Sequence, residues 1–173
     1  MGQRRPTSDR RWRRVGTGTS DTLNTMSEST AAQLPPGLAA VAAEFADTPR
    51  ELRLELLLEY ADRLKPLPEP YASREDLMER VEECQSPLFA IAEIQDNVVS
   101  IHATAPQESP TTRAFASIMQ LGLSGLTPAE VLAVPASAPL QLGLTELVSP
   151  LRMRGATGLL ARIQRQVRAA TIA

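Results

Sequence analysis

This 173-residue chain has one cysteine, Cys84, and one histidine, His102. Cys84 stands in Val81-Glu82-Glu83-Cys84-Gln85-Ser86-Pro87, a polar stretch closed by proline. A free cysteine often serves as a small buried hydrophobe. These neighbours instead describe a loop beside a strand, where functional residues concentrate. Such a thiol reacts as its thiolate, and its free pKa is about 8.5. Glu82 and Glu83 push that value up by like-charge repulsion, so a donor or cation must offset them. His102 falls in Val98-Val99-Ser100-Ile101-His102-Ala103. Strand alternation sets it with Ser100 and Thr104 on a solvent face, opposite Val99, Ile101 and Ala103. Pairing Cys84 with His102 would make a nucleophile and base of the thiol-protease type, but nothing in the sequence brings the two together. A third feature is Ser149-Pro150-Leu151-Arg152-Met153-Arg154-Gly155. It sets two arginines ahead of a helix whose start favours acids, either as a solvated basic turn or as the partner of an anion or thiolate.

Composition narrows the chemistry further. One cysteine and one histidine cannot build a structural zinc site of about four ligands or hold a cluster needing about four thiolates. An internal disulfide is excluded too, which fits a reducing compartment. No run of about 18 apolar residues exists, so no membrane-spanning helix is expected. The net charge of −2 conceals an asymmetry: residues 1–25 carry six arginines against two aspartates, leaving about −6 for the remainder. A body that acidic lacks the clustered positive charge that nucleic acid requires.

The elements that must position these side chains begin at residue 34. Residues 1–33 mix arginine with Ser, Thr, Gly and Asp and show no apolar period, so they read as a disordered extension, with Met26 as a natural alternative start. A chain beginning at Met26 is expected to melt like the full one. Within the domain at 34–173, a helix is predicted over 38–45. Thr48-Pro49-Arg50-Glu51 reads as a capped start to a second helix that buries Leu54, Leu57, Leu58, Ala61 and Leu64. Pro66, Pro68 and Pro70 end it, and a helical turn is expected over 74–79. The runs 88–94 and 98–104 around Gln95-Asp96-Asn97 predict an antiparallel hairpin. Ser109-Pro110 opens a helix through Leu121, Thr127-Pro128-Ala129-Glu130 a shorter one, and Pro135 and Pro139 bound a loop. The last helix, over 155–170, turns Leu159, Leu160, Ile163 and Val167 inward and Arg162, Arg165 and Arg168 outward. Helices, hairpin, helices is an α+β order: a small antiparallel sheet covered by helices.

The cysteine motif at a strand start, the hairpin, and the Ser-Pro-Leu-Arg-Met-Arg-Gly string before a final helix together resemble the SufE family over roughly residues 34–170. The resemblance implies a SufE/IscU-like fold and a cytoplasmic sulfur acceptor in iron–sulfur cluster assembly. It further implies that a SufS-type, PLP-dependent cysteine desulfurase passes sulfane sulfur to Cys84 as a persulfide, for delivery to a downstream Fe–S scaffold. Arg152 matches the family's arginine near the cysteine loop. The PLP belongs to the desulfurase, and the chain would carry no cofactor of its own, acting as carrier and activator rather than stand-alone enzyme. One departure stands out: many members have glycine before the cysteine, where this chain has Glu83. Two other readings compete, a single-cysteine redox sensor and a helical interaction module whose cysteine is incidental.

Overall fold

The computed structural model describes residues 34–172, so the expectations for residues 1–33, including the Met26 start, lie outside the described residues. Helix α1 (Pro36–Asp47) and helix α2 (Arg53–Asp62) are followed by strand β1 (Glu79–Arg80), then β2 (Phe89–Gln95) and β3 (Val98–Thr104). Helices α3 (Pro110–Leu123), α4 (Pro128–Ala133) and α5 (Pro150–Ile172) complete the order. The sheet is antiparallel, in the order β1-β2-β3. This is the α+β architecture expected from the sequence, with β1 as an addition. The predicted helical turn over 74–79 stops as a 3-10 turn at Glu75–Leu77, and Glu79 enters the sheet opposite Ala90.

The hairpin turn is Asp96-Asn97, both with positive φ, at 52° and 62°. That conformation matches the twist of the flanking strands and favours Asn and Asp. Register then fixes the faces. Ala90, Ala92 and Ile94 pair across to Ala103, Ile101 and Val99 on one side, which α3 and α5 cover. An exposed strand edge is a liability, and here the edge of β3 and the part of β2 beyond β1 are partly occupied. Gly125 and Leu126 bond to the backbone of Val99, and Ser124 Oγ accepts from Ile101. Where the two-residue β1 runs out, Gln166 of α5 takes its place. Its Oε1 accepts from the Ala92 amide at 2.7 Å, and its Nε2 donates to the Ala90 carbonyl.

Helix α2 sits differently from its predicted phase. Thr48 does not cap it: its hydroxyl donates back to the Glu44 carbonyl and closes α1, while Arg50–Leu52 form a 3-10 turn. The buried stripe becomes Leu56, Leu57, Tyr60, Ala61 and Leu64, leaving Leu54 at 55% and Leu58 at 42% exposure. Tyr60 decides this. Its ring stacks on Phe45 at 5.7 Å and its hydroxyl donates to Glu44, so the aromatic fills the α1–α2 seam. The capping box at Thr127 and Glu130 forms as predicted. Helix α3 ends at Leu123 rather than Leu121. Helix α5 begins at Pro150, five residues earlier than expected, which carries Arg152 and Arg154 into the helix.

Candidate functional site

Cys84 rides on the connection between β1 and β2. The Val81 amide donates to the Leu88 carbonyl at 2.8 Å, and both side chains are fully buried, so the loop is pinned at its base. The residues between are polar, as expected, but the thiol is half-buried rather than free in solvent. The reason is α5. A Cβ built on Gly155 would lie 2.6 Å from Cys84 Sγ, and one on Gly158 would lie 2.7 Å from Glu83 Oε2. Two interior helix glycines, each costing about 1 kcal/mol against alanine, give the loop a seat.

Cys84 and Arg152 line one cleft of about 190 Å³, together with Ser86, Ser109, Thr111 and Gly155. The start of α3 forms its other wall. Ser109 Oγ donates to Ser86 Oγ at 2.8 Å, tying the cysteine loop to that helix instead of capping it. Arg152, exposed on the first turn of α5, donates to Thr111 Oγ1 at 3.3 Å. Sequence-predicted residues some seventy positions apart therefore meet in one place. On its far side the loop borders an apolar groove of about 610 Å³ that includes Leu140, Pro150, Met153 and Ala161.

Burial is the main force on the thiol and Glu83 the second; together they push Cys84 up to about 11, against a smaller downward pull from Arg162. The like-charge repulsion expected from the sequence is thus present but secondary, and Glu82 turns toward Arg80, 3.8 Å away. Arg162 corrects the sequence reading. Periodicity sets it on the solvated face, yet its side chain is only 18% exposed and pairs with Glu79 at 2.8 Å and Glu83 at 3.0 Å. The signal was in the spacing, since Gly155, Gly158 and Arg162 recur at helical intervals on one face. Glu83 in turn is held below the usual carboxylate range, first by its own backbone amide and then by Arg162.

His102 stands on the outer sheet face, as alternation predicts, partly covered by Tyr71. Its Nε2 lies 3.0 Å from Glu93 Oε2, and Tyr71 donates to the other Glu93 oxygen at 2.6 Å. It lines no part of the Cys84 cleft, so a Cys–His pair is not assembled. Among the described residues no cluster of three or more His, Cys, Asp or Glu is placed to hold a metal ion. None of the described helices is long and apolar enough to cross a membrane.

Residues 39–167 match the family model of SufE, the Fe–S metabolism associated domain, a span running from α1 into α5 and holding both Cys84 and Arg152. The chain belongs to the SufE family. It is 49% identical over 140 residues to an uncharacterized SufE-like protein of Mycobacterium tuberculosis, covering 80% of this chain and 96% of that one. It is 29% identical over 135 residues to the chloroplastic/mitochondrial SufE-like protein 1 of Arabidopsis thaliana, covering 78% of this chain and 35% of that one. The solution structure of a hypothetical protein from Thermus thermophilus superposes with a TM-score of 0.72 at 39% identity, covering 82% of this chain and 100% of that one. SufE membership ties the protein to Fe–S metabolism.

The glycine seat yields a first expected result. Gly155→Ala removes an unfavourable helix glycine, a gain of about 1 kcal/mol, while its methyl displaces Sγ, the movable end of a short side chain. The variant should melt no lower than wild type and alkylate at Cys84 several-fold faster at pH 8. An unchanged rate would mean that the seat does not shield the thiol.

Proposed function

We propose that this SufE protein accepts sulfane sulfur from a PLP-dependent, SufS-type cysteine desulfurase onto Cys84 and passes it to an Fe–S scaffold, in a reducing, cytoplasmic setting. The observation that carries this reading is the lone thiol of the chain, seated in a cleft with Arg152 on a loop pinned at its base but polar at its tip. In the transfer step Cys84 first loses its proton. The thiolate then attacks the outer sulfur of the donor's persulfide, one S–S bond breaks as another forms, and the donor cysteine departs as thiolate. No net oxidation occurs, because the sulfane sulfur keeps its oxidation level. Arg152 supplies a cation at the cleft for the anionic sulfur.

The absence of a second cysteine suits a carrier, since no intramolecular disulfide can discharge the persulfide. A redox sensor fits less well. Sensor thiols are accessible and of low pKa, whereas burial and Glu83 hold Cys84 near 11. Intact-mass spectrometry after incubation with desulfurase, PLP and cysteine, without reductant, tests the reading. One added sulfur atom, about 32 Da by its atomic mass, is expected on the wild type. An unmodified protein beside a demonstrably active cognate desulfurase would overturn it.

A further inference from the structure

Three contacts hold the cysteine loop to the body. The Val81–Leu88 bond closes its base, Ser86 meets Ser109 on α3, and Glu83 meets α5. The last is unlike the others. The Glu83 carboxylate lies over Gly158, whose hypothetical Cβ would come within 3.0 Å of Glu83 Cβ, Cδ and Oε2 alike. At the same place Arg162 Nη2 donates to Oε2 at 3.0 Å. Arg162 is fixed from the other side by Glu79 of β1, and its Nε is buried with no partner among the described residues. A guanidinium this desolvated depends on its carboxylates. Of the two, Glu79 is also held by Arg165 and Gln166, whereas Glu83 belongs to the loop and is itself 45% exposed. The arrangement is a fixed half, Glu79 with Arg162 on β1 and α5, and a detachable half, Glu83, one residue from the thiol.

We propose that Glu83 and Arg162 form a latch that holds the cysteine loop against α5, making both of them positioning residues for the Cys84 thiol. While it is closed, Sγ rests on Gly155. When a competing cation or a shifted α5 frees Glu83, the segment 82–85 swings out between its Val81–Leu88 base and the Ser86–Ser109 contact and carries the thiol into solvent. The purpose of such a latch rests on the sulfur-acceptor reading; its existence does not.

Charge effects alone make opposite demands on the two partners. Removing Glu83 would speed alkylation of Cys84, and removing Arg162, which favours the thiolate, would slow it. A latch makes both removals open the loop. The test is hydrogen exchange by mass spectrometry on the full chain at one pH, following the peptide that spans residues 81–88, with iodoacetamide alkylation alongside. Glu83→Gln and Arg162→Gln should each speed loop exchange about tenfold while β3 and α3 keep their wild-type rates. The double variant should go no further than either single one, Arg162→Lys should fall between, and both Gln variants should alkylate faster. Wild-type loop exchange in Glu83→Gln, or an Arg162→Gln that only alkylates more slowly, would overturn the latch. If Arg162→Gln fails to fold, Glu83→Gln decides alone. Neither readout needs a desulfurase, so loop opening without sulfur uptake would sink the acceptor reading and leave the latch standing.

Discussion

Cys84→Ser should take up no sulfur at all from an active desulfurase and cysteine, yet melt within a few degrees of the wild type. The loss is total because the chain holds no second thiol, and a serine hydroxyl is not ionised at neutral pH and does not exchange with sulfur–sulfur bonds. The small stability cost follows from geometry. Serine is nearly isosteric, the side chain is half-buried, and the loop's anchors at Val81, Ser86 and Glu83 do not involve Sγ. Arg152→Ala belongs in the same experiment. Arg152 is exposed and, among the described residues, its side chain hydrogen-bonds to Thr111 alone, so an isolated surface contact of this kind contributes little stability. Its removal should slow sulfur uptake severalfold without lowering the melting temperature. Unchanged uptake in that variant beside a dead Cys84→Ser would remove Arg152 from the mechanism. If desulfurase binding survives Cys84→Ser and the wild type never gains sulfur, the interaction-module reading takes over.

What could be read in advance was what local rules dictate. The Asp96-Asn97 turn, the alternation along β3 and the capping box at Thr127 are set by nearest neighbours, and each formed where expected. The meeting of Cys84 with Arg152 came from motif likeness and not from any period. The errors share a cause in competition between tertiary partners. The segment 52–58 offers leucines at 52, 54, 56, 57 and 58, enough for two different stripes. Tyr60, with Phe45 and Glu44 to satisfy, selected the one that leaves Leu54 and Leu58 exposed. Strand β1 is too short to show any alternation and exists because Glu79 and Arg80 pair with β2. Arg162 looked like solvated surface because helix periodicity reports which face is apolar, and says nothing of a carboxylate arriving from a loop. Glu83, noted in the sequence as a departure from the family's usual glycine, is with Glu79 one of the two carboxylates that hold Arg162.

Iodoacetamide should modify Cys84 in the folded protein at pH 8 at least tenfold more slowly than in the same chain unfolded in urea. Burial, with Glu83 behind it, pushes the thiol up to about 11 on folding, at least two pKa units above its free value. Two pKa units reduce the thiolate population at pH 8 about a hundredfold. A more basic thiolate is also the better nucleophile, and a Brønsted slope of about 0.4–0.5 returns roughly eightfold. Ionisation alone therefore leaves a deficit of about tenfold, and the seat against Gly155 can only enlarge it. The folded rate should still be climbing at pH 10, where an ordinary cysteine has levelled off. The sign of the linked stability follows. Because the folded pKa is the higher one, the contribution from the protonated thiol is complete below about pH 9 and is lost as pH rises toward 11. Tyr60, pushed up to about 12 by burial and then by its bond to Glu44, and Tyr71, pushed up to about 12 by its bond to Glu93 and then by burial, add to the loss from about pH 10 upward. Adding a cognate desulfurase with its own nucleophilic cysteine blocked should reverse the slow alkylation, since the acceptor reading requires the partner to draw the loop out and supply positive charge. A folded protein that alkylates at pH 8 as fast as the unfolded chain would show a thiol already exposed and ionised, and activation by a partner would then have nothing to do.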